Sequence, residues 1–293
     1  MKTTISMKLF HALRRGEKQL GKEARGRITD FVRSQLTEEE SFMGKNGKPD
    51  VYYTVFGWML VYIMGIKLDT KKAGVYLESL RAGDMDLIHY AAYMRCRMIR
   101  QLFNRGRVGL LLNSFFAQED MRQPESFDTV PHNDRQSPYT QFIGLSLLED
   151  TGHKVRDRQQ TVDFLDDYRA SEGGFMNIRD GLTATTNATV AALAVKGQLQ
   201  GYDDKADIRY LRNLQHPSGG FGATQTTLLP DLLSTATALF MLACYGIQPN
   251  YPAKEFIEAH WLDSGGFAAT LLDEKSDVEY TFYGLLALGS VNW

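Results

Sequence analysis

The chain has 293 residues, 43% of them apolar and 23% charged, an ordinary globular composition with enough length for one large domain or two smaller ones. Thirty-three Lys and Arg against 35 Asp and Glu leave a net charge of -2, so no global basic field points to nucleic acid or to an anionic membrane. Cys96 and Cys244 stand far apart in apolar stretches, which excludes a disulfide framework or a CxxC metal pair and fits a reducing compartment.

In chain order, residues 6–22 read as an N-terminal helix whose apolar run is interrupted at once by Arg14, Arg15, Glu17 and Lys18, too short for a signal-peptide core. An amphipathic segment follows at residues 28–36, then Glu40-Ser41-Phe42, then the run Asp50-Val51-Tyr52-Tyr53-Thr54 opening an apolar helix that ends near Gly65. Residues 55–66 form the longest apolar stretch, about one core helix and well below the roughly 20 residues a membrane span needs. The expected location is therefore the cytoplasm. A shortened hairpin occupies residues 72–103 and carries the one dense basic cluster, Arg95, Arg97 and Arg100, with Arg105 and Arg107 behind it. His89, with Asp84 and Asp86, adds polar groups at the start of the same helix. A middle unit reads as residues 110–118, then Glu125-Ser126-Phe127, then an apolar segment at residues 142–148.

The last third is periodic. Gly173-Gly174-Phe175, Gly219-Gly220-Phe221 and Gly265-Gly266-Phe267 recur 46 residues apart, and Thr189, Thr235 and Thr281 keep the same step. Each unit has an amphipathic outer segment, such as residues 206–215 with Ile208, Leu211 and Leu214 at helical spacing, then the glycine pair, a loop, and a more apolar inner segment. Such helical hairpins bury their faces on one another. The glycine pairs are expected to make a left-handed turn that closes the outer helix, with Phe175, Phe221 and Phe267 plugging the space between hairpins. Residues 1–27 are predicted to be a helical cap and residues 28–293 a single domain of about six hairpins.

The Gly-Gly-Phe loop followed by Asp277-Val278-Glu279-Tyr280-Thr281, echoed at Asp50 to Thr54, resembles the repeat of protein prenyltransferase β-subunits and squalene-type terpene cyclases. That resemblance implies an all-α fold, an α/α toroid whose inner helices surround an aromatic funnel holding an isoprenoid such as a prenyl diphosphate. It implies a zinc site too, but the matching positions here are Asp231, Leu233 and Tyr280: leucine has no lone pair and un-ionised tyrosine is a poor zinc ligand, so the zinc site is expected to be absent. The acidic motif of the cyclases is likewise reduced at residues 231–234 to its first carboxyl, Asp231.

Within that frame the candidate catalytic residues are Asp231, Asp277 and Tyr280. Asp50, Asp231 and Asp277 each precede an inner helix, where they serve as N-caps, while Asp231 and Asp277 also have a functional reading as holders of a magnesium-diphosphate at the funnel mouth. Candidate substrate-binding residues are Arg95, Arg97, Arg100 and His89 for a diphosphate and Tyr53, Trp58 and Tyr283 for the chain. Magnesium is the one candidate cofactor, and an isoprenoid or other lipid-like molecule the expected partner. A non-catalytic lipid- or protein-binding toroid and a carbohydrate-active toroid, which needs two carboxyls about 5 to 9 Å apart, are the competing readings.

Overall fold

Two kinds of helix alternate because two kinds of sequence do. The computed structural model describes residues 3–105, 137–153, 155, 157–201 and 204–291. Its helices are α1 (Ile5–Gln19), α2 (Lys22–Gln35), α3 (Val51–Met64), α4 (Thr70–Ser79), α5 (Leu87–Arg105), α6 (Pro138–Asp150), α7 (Arg158–Asp166), α8 (Thr186–Leu199), α9 (Lys205–Asn213), α10 (Leu232–Cys244), α11 (Lys254–Glu258) and α12 (Val278–Val291). The segments expected at residues 110–118 and 125–127, with Arg107, lie outside the described residues. Short amphipathic α2, α4, α7, α9 and α11 stand outside, whereas α3, α5, α6, α8, α10 and α12 are largely buried, α8 along nearly its whole length.

Each inner helix opens on a side-chain cap: Asp50 accepts from the Tyr52 amide, Thr185 from Ala188, Asp231 from Ser234 and Asp277 from Tyr280. One turn in, a threonine ties the helix to its loop. The amides of Phe42, Phe175, Phe221 and Phe267 donate to the hydroxyls of Thr54, Thr189, Thr235 and Thr281 at 3.0, 2.9, 2.9 and 3.1 Å. All four threonines are fully buried. The loop phenylalanine then lies on its own inner helix: a Cβ placed on Gly57 would come 2.2 Å from the Phe42 ring, and one on Gly284 2.6 Å from the Phe267 ring. Phe42 and Phe267 therefore fill the joint within their own hairpin, because a glycine three residues after the threonine leaves room for the ring; Phe175 and Phe221, where that position is Ala192 and Ala238, are fully buried as well.

The glycine pair divides its labour. The first member takes a left-handed backbone, with φ of +97° at Gly173, +96° at Gly219 and +94° at Gly265. Only in the first copy does the second member share it; Gly220 and Gly266 are required instead because a Cβ would meet Phe256 at 2.4 Å and Phe31 at 2.6 Å.

The same contacts reveal ring closure. Gly174 abuts Tyr210 of α9 and Gly220 abuts Phe256 of α11, each the next outer helix, while Gly265 and Gly266 abut Arg27 and Phe31 of α2. The last loop thus packs on the first hairpin as each earlier loop packs on its successor. Inner helices follow suit, each contacting the next from α3 through α12, and α12 returning to α3. Amides opening α8 and α10 donate to carbonyls of the following loop, Thr186 to Ala223 and Leu232 to Ala269, both at 2.9 Å.

Helix α1 belongs to no hairpin. It lies across the C-terminal ends of the inner helices: the Ile5 amide and Ser6 hydroxyl donate to Glu149 and Asp150 of α6, Gln198 of α8 donates to the Thr3 carbonyl, and Arg15 and Gln19 donate to carbonyls at the end of α12. Its crossing with α12 is backbone on backbone, since a Cβ on Gly289 would sit 1.7 Å from the Ala12 oxygen and one on Gly16 2.0 Å from the Leu285 oxygen. One end of the ring is thereby capped. Replacing Thr235 with Val keeps the volume but leaves the buried Phe221 amide without its acceptor, and is expected to lower unfolding free energy by about 1–3 kcal/mol in urea titration, with Thr235→Ser much milder.

Candidate functional site

The inner helices all begin at the end of the ring opposite α1, so the capping residues and the first inward turns share one rim. Asp231 is fully engaged there, accepting from the Ser234 amide and hydroxyl, both at 2.7 Å. Asp277 accepts from the Tyr280 amide at 2.8 Å, and burial raises its carboxyl above the ordinary value against that bond. The Tyr280 phenol, pushed up to about 12 by burial and then by Glu279, Asp277 and Asp231, stays protonated at neutral pH. Leu233, two residues beyond Asp231, is half-buried.

Inside the rim the lining is aromatic, and its focus is a residue that the sequence pattern passed over. Glu279, 8% exposed, accepts a hydrogen bond from the Tyr52 hydroxyl at 2.7 Å, joining the first turns of α12 and α3. Around that pair the rings form one connected set: Tyr52 packs edge-on to Tyr53 and Phe56, Phe56 to Phe282, and Phe56 and Tyr280 lie within 5.9 and 6.3 Å of Tyr283. Tyr139 of α6 is among the groups that raise the Tyr52 and Tyr283 phenols, after burial. Tyr52, Phe56, Met59, Tyr139, Tyr280 and Tyr283 are only partly buried.

Burial pushes the Tyr52 and Tyr283 phenols well up, and raises Glu279 against the bond from Tyr52. Negative charge is costly at this place.

The other predicted residues divide. His89 is brought to the site: its Nδ1 lies 2.8 Å from Asp86, and its ring 6.5 Å from Tyr52. Tyr53 joins the aromatic set although it is buried. Trp58 does not line the interior; it is wholly buried, with its indole N–H donating to the Glu40 carbonyl at 2.6 Å, because it points back toward the hairpin loop. The arginines do not converge. Arg95 is inserted between α5 and α6, bonding Asp150 at 3.2 Å and the Ser146 hydroxyl at 2.6 Å, and Asp150 is also held by Ser6. Arg97 stacks over Tyr93, and Arg100 donates to the Thr70 carbonyl on the α4 side, where Gly74 makes space for its guanidinium. The three-residue spacing of Arg97 and Arg100 suggested a clamp, but each cation has a separate partner.

A closed ring of α/α hairpins with an aromatic interior defines the α/α toroid class. The family model of the prenyltransferase alpha-alpha toroid domain matches residues 113–292, more than half of the chain, and the chain belongs to that family. Among solved structures it is similar to Candida albicans protein geranylgeranyltransferase-I complexed with GGPP, with a TM-score of 0.62 and 12% identity over 92% of this chain and 90% of that one. It is also similar to the type II terpene cyclase MstE from Scytonema, with a TM-score of 0.53 and 12% identity over 92% and 96% of the two chains. At that identity the likeness concerns the fold. No curated protein matches the sequence, and among the described residues no helix is long and apolar enough to cross a membrane.

Two outcomes check this account. Arg95→Met strands the buried Asp150 carboxylate and is expected to cost roughly 3 kcal/mol in urea unfolding, which a solvated arginine would not. Glu279→Gln is expected to act oppositely. Because the folded carboxyl is raised above its ordinary value, its ionised form opposes folding: the effect is absent in acid, below the ordinary glutamate value, and grows as pH rises through the folded value. Melting curves should show the glutamine variant gaining on the parent between acid and neutral pH.

Proposed function

We propose that this chain holds an isoprenoid in the aromatic interior of its toroid, and does so without the zinc chemistry implied by its resemblance to prenyltransferases. The observation that carries the reading is the connected set of partly exposed rings on the first inward turns of α3 and α12, Tyr52, Phe56, Tyr280 and Tyr283, at the uncapped end of the ring. Apolar walls with a few convergent polar groups suit a long hydrocarbon ligand. The solved toroid with GGPP bound supports the same choice by likeness of fold.

The zinc reading loses support at two of its three positions, since Leu233 offers no donor and the Tyr280 phenol is held further from ionisation than free tyrosine. Asp231, the third, already has both oxygens bonded in its helix cap.

Titration of farnesyl and geranylgeranyl compounds, alcohols and diphosphates with magnesium among them, against tyrosine fluorescence should give saturable binding. Phe56→Ala, which removes the ring that bridges α3 and α12, is expected to weaken it by about tenfold or more. Binding of none of these compounds, or equal binding by the alanine variant, would overturn the reading. A catalytic toroid releases a changed product from the bound isoprenoid, whereas a non-catalytic lipid-binding one returns it intact, so product analysis after incubation separates the two.

A further inference from the structure

Resting on that isoprenoid reading, we infer that the head-group end of the interior is built for an organic cation, a long hydrocarbon chain bearing an amine or ammonium, with Glu279 as its counter-ion. Glu279 is 8% exposed and receives the Tyr52 hydroxyl at 2.7 Å. Its charge also acts on the Tyr53, Tyr280 and Tyr283 phenols, and the rings about its Tyr52 partner pack together: Tyr52 contacts Phe56 at 5.1 Å, Phe56 contacts Phe282 at 5.0 Å, and Tyr283 contacts Phe282 at 5.4 Å. Aromatic faces attract cations, most strongly where water is excluded, and a buried carboxylate within such a set completes a cation site.

The alternative head group, a diphosphate, would meet the wrong field. Its negative charges would enter beside Glu279 and close to Asp277 at the start of the same helix. Besides burial, the charge of Asp277 already raises Glu279, and Glu279 and Asp277 together raise the Tyr280 phenol, so a further negative charge is repelled here and a positive one attracted. Among the described residues of the basic cluster, Arg95 is bonded to Asp150 and Ser146, Arg97 stacks on Tyr93 and Arg100 donates to the Thr70 carbonyl before α4. Lys45, on the exposed loop before α3, is the one cation among the groups acting on Glu279, and it comes after Tyr52 and Asp277.

The test uses one chain with three heads: N,N-dimethylfarnesylamine, farnesol and farnesyl diphosphate, the last with magnesium, titrated calorimetrically into the full-length protein at neutral pH. The amine is expected to bind about tenfold more tightly than the alcohol, with the diphosphate weakest. In Glu279→Gln the amine should lose that advantage while farnesol binding is kept, which also shows that the variant is folded. A diphosphate that binds best, or a Glu279→Gln variant with an unchanged amine-to-alcohol ratio, overturns the cation site while leaving isoprenoid binding standing. If none of the three binds, both readings fall together.

Discussion

The hydrogen bond from a loop phenylalanine amide to a buried threonine hydroxyl is the joint on which this architecture turns. It occurs at Thr54, Thr189, Thr235 and Thr281, each time one turn inside an inner helix. A loop that must run back over a buried helix carries an amide that water cannot reach, and an unpartnered amide there costs as much as the loop gains by packing. Threonine solves this locally, because at Thr54, Thr235 and Thr281 the hydroxyl also donates to the capping aspartate's carbonyl one turn back. The loop is held close enough for its glycine pair to receive the neighbouring outer helix. Repetition of one joint therefore dictates a nearly constant step between hairpins, and a constant step around a closed circuit makes a ring.

That joint was legible in the sequence, because glycine, phenylalanine and threonine are each nearly irreplaceable in it and so recur in phase. The first hairpin lacks the glycine pair, yet the match of residues 50–54 to residues 277–281 still marked it, and its Thr54 makes the same bond. Positions with freer chemistry hid their role. Arg169, Gln215 and Trp261 also stand 46 residues apart, and each braces the joint, but by different means: Arg169 through Asp207 of the next outer helix, Gln215 through the Tyr251 backbone, and Trp261 through the Gly265 carbonyl and stacking under Arg27. No residue pattern announces a shared function met three ways. The α1 cap was visible as a helix but not as a backbone-contact crossing, since Gly16 and Gly289 mean little until the two helices are laid together.

The site was less legible for a related reason. Spacing along one helix identifies neighbours on that helix, whereas the interior of a ring is assembled from helices far apart in the chain. Glu279 and Tyr52 are 227 positions apart and both sit in runs that read as scaffold. One signal was present: a charged residue flanked by Val278 and Tyr280 in an otherwise apolar helix is an expensive choice unless something answers its charge. The arginine cluster misled in the opposite direction, because density in sequence was taken for density in space, and a helix distributes such residues to α6, to α4 and to the Tyr93 ring.

A ring closed at one end by α1 and lined with aromatic groups at the other has a polarity that follows from the helices themselves. Six inner helices start at the rim opposite α1, and their first amides are already answered by Asp50, Asp86, Ser137, Thr185, Asp231 and Asp277. The partial positive charge of those helix starts is thus largely spent on the protein's own oxygens before any ligand arrives. Among the described residues, Glu279 and the rings joined to its Tyr52 partner are the groups at this rim that the helix caps leave uncommitted, and both attract positive charge. A likeness of fold to a toroid complexed with GGPP therefore does not carry the same chemistry at the rim, because the scaffold joints and the rim residues are set by different parts of the repeat.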